Sequence, residues 1–151
     1  MRTSGFAIAA LLLATPAYAT ASLSCSADDR SLRFSAEGIV SHGVGETVAQ
    51  FAGELEVRLK DAPPGLRKLP LALEHLTQRW LHGREVKLRL FRERDGEGQG
   101  SVELVVETRR AANDETAFSG SCVLTVSGED AAPGAPARTL KARGRVSCSL
   151  G

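Results

Sequence analysis

The strictest pattern in this chain is alternation. Glu54-Leu55-Glu56-Val57-Arg58-Leu59-Lys60 switches between charged and apolar at every step, and Glu85-Val86-Lys87-Leu88-Arg89-Leu90 repeats the pattern. Successive side chains of a strand point to opposite faces, so such runs can bury one face and wet the other as β-strands. The same rule puts Phe51, Leu55, Val57 and Leu59 on one face, and likewise Val102, Leu104 and Val106. Phe118, Gly120, Cys122, Leu124 and Val126 share a face. So do Leu140, Ala142, Gly144, Val146, Cys148 and Leu150, with Lys141, Arg143 and Arg145 opposite them.

Marked off by glycine and proline, these runs predict about seven strands, over 22–27, 31–41, 47–60, 85–94, 101–110, 117–127 and 138–150. Two loops stand out between them, the glycine-rich 95–100 and the Ala/Pro/Gly-rich 128–136. Across the first, charge and burial select a register. Facing Leu88 with Val106 and Leu90 with Leu104 sets Lys87 against Glu107, whereas a slip by two sets Lys87 against Arg109. Like charges directly opposite are unfavourable, so the first register is expected.

One stretch breaks the period. Pro70 near its start, Gly83 just past its end, and Leu69, Leu73, Leu76 and Trp80 at helical spacing predict an amphipathic helix over 70–82. Trp80, the only Trp, is expected to anchor that helix in the core. The fold expectation is therefore mainly β: a small antiparallel β-barrel or β-sandwich of about seven strands with one helix packed against it.

The first residues are of another kind. Arg2, an apolar run from Phe6 to Ala14, Pro16 and then Ala17-Tyr18-Ala19 read as a secretory signal peptide cleaved after Ala19. The run is too short to cross about 30 Å of hydrocarbon. Residues 1–19 are thus a cleaved leader and 20–151 a single β domain, periplasmic or secreted, with no transmembrane segment in the mature chain. A lipid anchor on Cys25 is the rival form of export, but Cys25 stands well past the apolar run.

Export makes disulfides available, and there are three cysteines, all on inward positions. In a hairpin across 128–136, Cys122 falls opposite Ala142, about six residues or ~20 Å from Cys148 at the usual strand rise. A disulfide needs Cα atoms within ~7 Å. The expected bridge is Cys25–Cys148, tying the ends of the domain, with Cys122 left as a small buried residue. A seven-stranded meander would run its first and last strands parallel. A crossover through 61–84 would make them antiparallel, so sequence leaves barrel and sandwich open.

Charge narrows the function classes. With Arg2 removed, the mature chain holds 18 basic and 18 acidic residues. A nucleic-acid binder usually carries a basic excess, so no nucleic acid is expected as partner. The charges come in blocks: ten basic against four acidic residues over 58–94, two against eight over 95–130, and four against none over 138–145. Adjacent blocks of opposite sign can pair across a solvated face, or a basic face can meet an anionic partner. Arg79, Arg84, Lys87, Arg89, Arg92 and Arg94 are the candidate basic face.

No constellation for chemistry emerges. His75 and His82 are seven apart, too far to share one ion on a helix, and with His42 they are the only histidines, so no metal site or cofactor is implied. Ser119 and Ser121 lie within a strand rather than at a nucleophile elbow. The glycines at 96, 98 and 100 join two strands and meet no helix N-terminus. Glu54/Glu56 and Glu103/Glu107 sit on solvated strand faces.

The expectation is a non-catalytic exported binding protein. It would hold either a small apolar ligand in the β core, lined by Phe51, Val57, Leu88, Leu104 and Trp80, or an envelope protein or polyanion on the basic face. A small secreted hydrolase gathering His75 or His82 with distant Glu or Ser, and a structural or inhibitor module acting through 96–100 or 131–136, are the alternatives.

Overall fold

The computed structural model describes residues 20–41, 47–96, 98–129 and 136–151. They form nine strands: β1 (Thr20–Asp28), β2 (Leu32–Ser41), β3 (Thr47–Val57), β4 (Lys68–Ala72), β5 (Leu76–His82), β6 (Glu85–Glu93), β7 (Gly100–Arg110), β8 (Ala117–Gly128) and β9 (Arg138–Leu150). All belong to one sheet in the order β4-β3-β2-β1-β9-β8-β7-β6-β5, and every neighbouring pair is antiparallel. The sheet curls into a nearly closed barrel. The inward residues of the alternation, among them Leu23, Phe34, Leu55, Leu88, Leu104, Leu124 and Val146, make one core.

The strand count and the helix are corrected together. No α-helix occurs over 70–82. The segment is β4, a one-turn 3-10 element at Leu73–His75, and β5. Following the antiparallel pairings round the sheet shows β4 and β5 pointing the same way, so the two share a single position in the barrel. The first half pairs with β3 (Leu55↔Leu69, Ala52↔Ala72) and the second with β6 (Leu81↔Val86, His82↔Glu85). Eight positions in an up-and-down order make the first and last strands antiparallel, which resolves the sequence ambiguity in favour of a barrel.

The helical stripe was a coincidence of breaks in the alternation. Leu69 and Leu71 both point inward, two apart, as in any strand. The 3-10 turn throws Leu73 out to 42% exposure, and an irregularity between Leu76 and Gln78 shifts the phase before Leu81 returns to the core. Trp80, expected inside, is 54% exposed on the outer side of β5. Gly83 does end the segment, as the first residue of a two-residue hairpin loop. Its φ of 61° is the positive value that a type II′ turn requires there. Pro70 lies in a strand free of a backbone partner on one side, where its missing N–H costs nothing.

The expected register of the 95–100 hairpin is found, with Leu88 opposite Val106, Leu90 opposite Leu104 and Lys87 opposite Glu107. The β8–β9 register differs by two from that expected: Cys122 faces Gly144, and Ala142 faces Leu124. Cys122 still lies far along the ladder from Cys148, which faces Phe118. Cys148 stands directly opposite Cys25 in the β1–β9 pairing, and the two are joined as a disulfide. β3 ends at Val57 rather than 60, and the following segment folds over one end of the barrel, sealing it with the buried Ala62 and Leu66. Arg67 fastens that cover by donating to the carbonyls of Ala62 (3.1 Å) and Lys60 (2.8 Å).

Candidate functional site

The barrel interior is packed with side chains. Phe51, Val57, Leu88 and Leu104 all belong to the core, and Trp80 is not with them. The crevice bordered by Leu55, Leu69, Leu71, Leu90 and Leu104, where β4 parts from β6, holds no space for a water molecule. Its rim is bridged by Arg92, which donates to the Pro70 carbonyl.

The candidate basic face is divided by its own salt bridges. Lys87 pairs with Glu85 at 2.9 Å, and Arg109 reaches the other oxygen of Glu85 at 3.3 Å. Arg89 grips Glu103 through Nε (3.2 Å) and Nη2 (2.6 Å). Arg92 pairs with Asp95. Hydrogen bonding from Lys87, with Arg109 adding to it, lowers the Glu85 carboxyl below its ordinary value. Among the described residues Arg79, Arg84 and Arg94 take part in no ion pair, but they are spread apart: Arg84 lies in the β5–β6 turn and Arg94 just past the other end of β6.

A second basic row stays uncompensated. Lys141, Arg143 and Arg145 point outward from β9, are exposed, and make no ion pair or side-chain hydrogen bond among the described residues. Their neighbours explain this. On β8 they face Thr125, Val123 and Ser121, none of them acidic. On the other side β1 pairs with β9 only from Ser147 to Leu150. The nearest acids there are already engaged. Asp28 is bound by Arg58 at 2.7 Å, and Asp29 Oδ1 accepts the backbone N–H groups of Ser31 (2.6 Å) and Leu32 (3.1 Å). Arg143 and Arg145, with Arg30, Ser121 and the two acids Asp28 and Asp29, border an open cleft of about 470 Å³ beside the β1–β2 turn. The signal in the sequence was the acid-free block 138–145.

The remaining candidates are dispersed. His75 Nδ1 accepts the Ala72 N–H at 2.8 Å, so that ring holds the break between β4 and β5. His82 meets the Trp80 ring edge-on, centroids 5.7 Å apart. His42, residue 97 of the first loop and residues 130–135 of the second fall outside the described residues, as does the leader. Among the described residues no group of three or more His, Cys, Asp or Glu is placed to hold a metal ion, and no helix is long and apolar enough to cross a membrane. Cys122 is fully buried, and desolvation raises its thiol pKa above the ordinary value. The chain matches no protein-family model, no curated protein and no solved structure.

Proposed function

We propose that this is an exported, non-catalytic binding domain that holds an anionic partner on the outer face of β9. The observation that carries this reading is the row Lys141, Arg143 and Arg145: three cations two residues apart on one face, with no acid opposite them on β8. Charges spaced in this way attract an anion from a distance and lose nothing of their own on binding it. The leader-like residues 1–19 and the Cys25–Cys148 bridge support an oxidising compartment outside the cytoplasm. An apolar ligand in the core is the weaker reading, because Phe51, Val57, Leu88 and Leu104 already fill that space together.

The test is binding of polyglutamate at low ionic strength, followed by calorimetry. The triple variant Lys141→Glu/Arg143→Glu/Arg145→Glu should lose at least about tenfold in affinity, and added salt should weaken the wild type in the same way. A matched variant, Lys87→Glu/Arg89→Glu, should bind within a few-fold of wild type. Equal binding by the β9 triple variant and the wild type would sink the proposal.

A further inference from the structure

We infer that the anionic partner is an acidic glycan, a chain of hydroxylated sugar rings each carrying a single carboxylate, an inference that rests on the binding face proposed above. The cleft of about 470 Å³ beside the β1–β2 turn has a mixed lining. Arg30, Arg143 and Arg145 bring three guanidinium groups to it, Asp28 and Asp29 two carboxylates, and Ser121 a hydroxyl. Both acids are fixed in place. Asp29 Oδ1 accepts the N–H groups of Ser31 and Leu32, and its Oδ2 lies against Gly144, where a Cβ would displace it. Asp28 is held by Arg58 at 2.7 Å. A densely charged chain, such as a polyphosphate, would gain from the three cations but would also meet the two fixed acids. A hydroxyl uses both signs, since it donates to a carboxylate and accepts from a guanidinium. One charge set among several hydroxyls therefore matches this lining better than charge alone.

Beyond the cleft the same outer face is covered with hydroxyls. Ser121 stands opposite Arg145. One outward rung further on, about 7 Å at the strand rise, Ser119, Ser147, Ser26 and Ser35 line up across β8, β9, β1 and β2, all four exposed. In the next rung the hydroxyls of Ser24 and Ser149 approach to 3.1 Å. Each of these groups offers one donor and two acceptor positions. The side chains of an acidic peptide bring acceptors only, whereas every sugar ring brings donors and acceptors together. Glu37 stands beside Ser24, and Glu54 beside Ser35, so the footprint ends at β2. A chain laid from the cations of β9 across this field would gain from many weak contacts at once.

The experiment compares, by calorimetry on the mature protein at one ionic strength, an octamer of galacturonic acid with a blocked octaglutamate, which carries the same number of carboxylates without hydroxyls. The sugar octamer should bind at least about tenfold more tightly. Ser121→Ala/Ser147→Ala, a change on the solvated face, should weaken the sugar octamer at least about threefold more than it weakens octaglutamate. Equal affinity for the two octamers would overturn the glycan while leaving the charged face intact. So would a serine variant that binds both as wild type does, or binding of polyglutamate without binding of the sugar octamer. Failure of the octamers and polyglutamate alike would overturn both readings. Sugar binding that survives Lys141→Glu/Arg143→Glu/Arg145→Glu would overturn this site.

Discussion

The outer faces of β6–β7 and β8–β9 are built by the same alternation, yet they treat their cations differently. On β6–β7 the ladder sets Glu85 against Arg109 and Lys87 against Glu107, and the ion pairs of Lys87, Arg109 and Arg89 use the carboxylates of Glu85 and Glu103. On β8–β9 the corresponding rungs are Ser121–Arg145, Val123–Arg143 and Thr125–Lys141. A cation in a sheet is compensated by what register places beside it, so the count of charges in a sequence block says little about the charge available to a partner. The seams differ as well. β6 and β7 pair from Glu85–Arg109 to Glu93–Ser101, while β1 and β9 share only the stretch from Leu23–Leu150 to Ser26–Ser147, reinforced by the disulfide and by Ser22 and Gly151 exchanging backbone hydrogen bonds.

The largest effect should come from cutting the weaker seam. Cys25→Ser/Cys148→Ser removes a bridge between residues 123 apart in sequence. By the chain-entropy model it should destabilise the domain by on the order of 4–5 kcal/mol, an upper figure. Denaturant unfolding measures the loss. Exchange of the β1 amides should rise more than that of β7, and equal rises would mean that the seam is not the weak one.

A smaller effect separates the two faces directly. Arg89→Glu puts a like charge against Glu103 and should cost about 1 kcal/mol, while Arg143→Glu, opposite Val123, should stay within about 0.5 kcal/mol of wild type. Thermal melts of the two variants side by side would show it, and equal costs would remove the distinction between paired and unpaired faces.

The smallest effect is acid sensitivity. The folded Glu85 carboxyl titrates below its ordinary 4.5, with Lys87 as the leading cause. Its contribution is therefore present above 4.5 and is lost as pH falls through the folded value. Lys87→Met should raise the Glu85 carboxyl toward 4.5 in an NMR titration. No shift in that variant would place the cause elsewhere.

Much of the barrel was legible in the sequence because period two is local. Every inward leucine and valine of β6, β7 and β8 is buried, and one charge argument fixed the β6–β7 register. The 70–82 segment was not legible. A strand that changes partner halfway, with a 3-10 turn at Leu73–His75 and a phase shift near Gln78, yields three- and four-residue spacings that imitate a helix. The disulfide could be read because all three cysteines point inward and ladder distance excludes one pairing. The β9 row was visible as an acid-free block, but its meaning depends on a non-local fact, that β8 sets Thr125, Val123 and Ser121 opposite it. Alternation within a strand carries no information about what its neighbour sets opposite it.

The central claim is that the cations on the outer face of β9 are open to a partner, whereas those of β6 and β7 are held by carboxylates of the same face. Chemical-shift mapping of the isotope-labelled domain during titration with polyglutamate tests it most directly. The prediction is shifts centred on Lys141, Arg143 and Arg145 that fade as salt is added. Shifts centred on Lys87 and Arg89, or none at all, would contradict it.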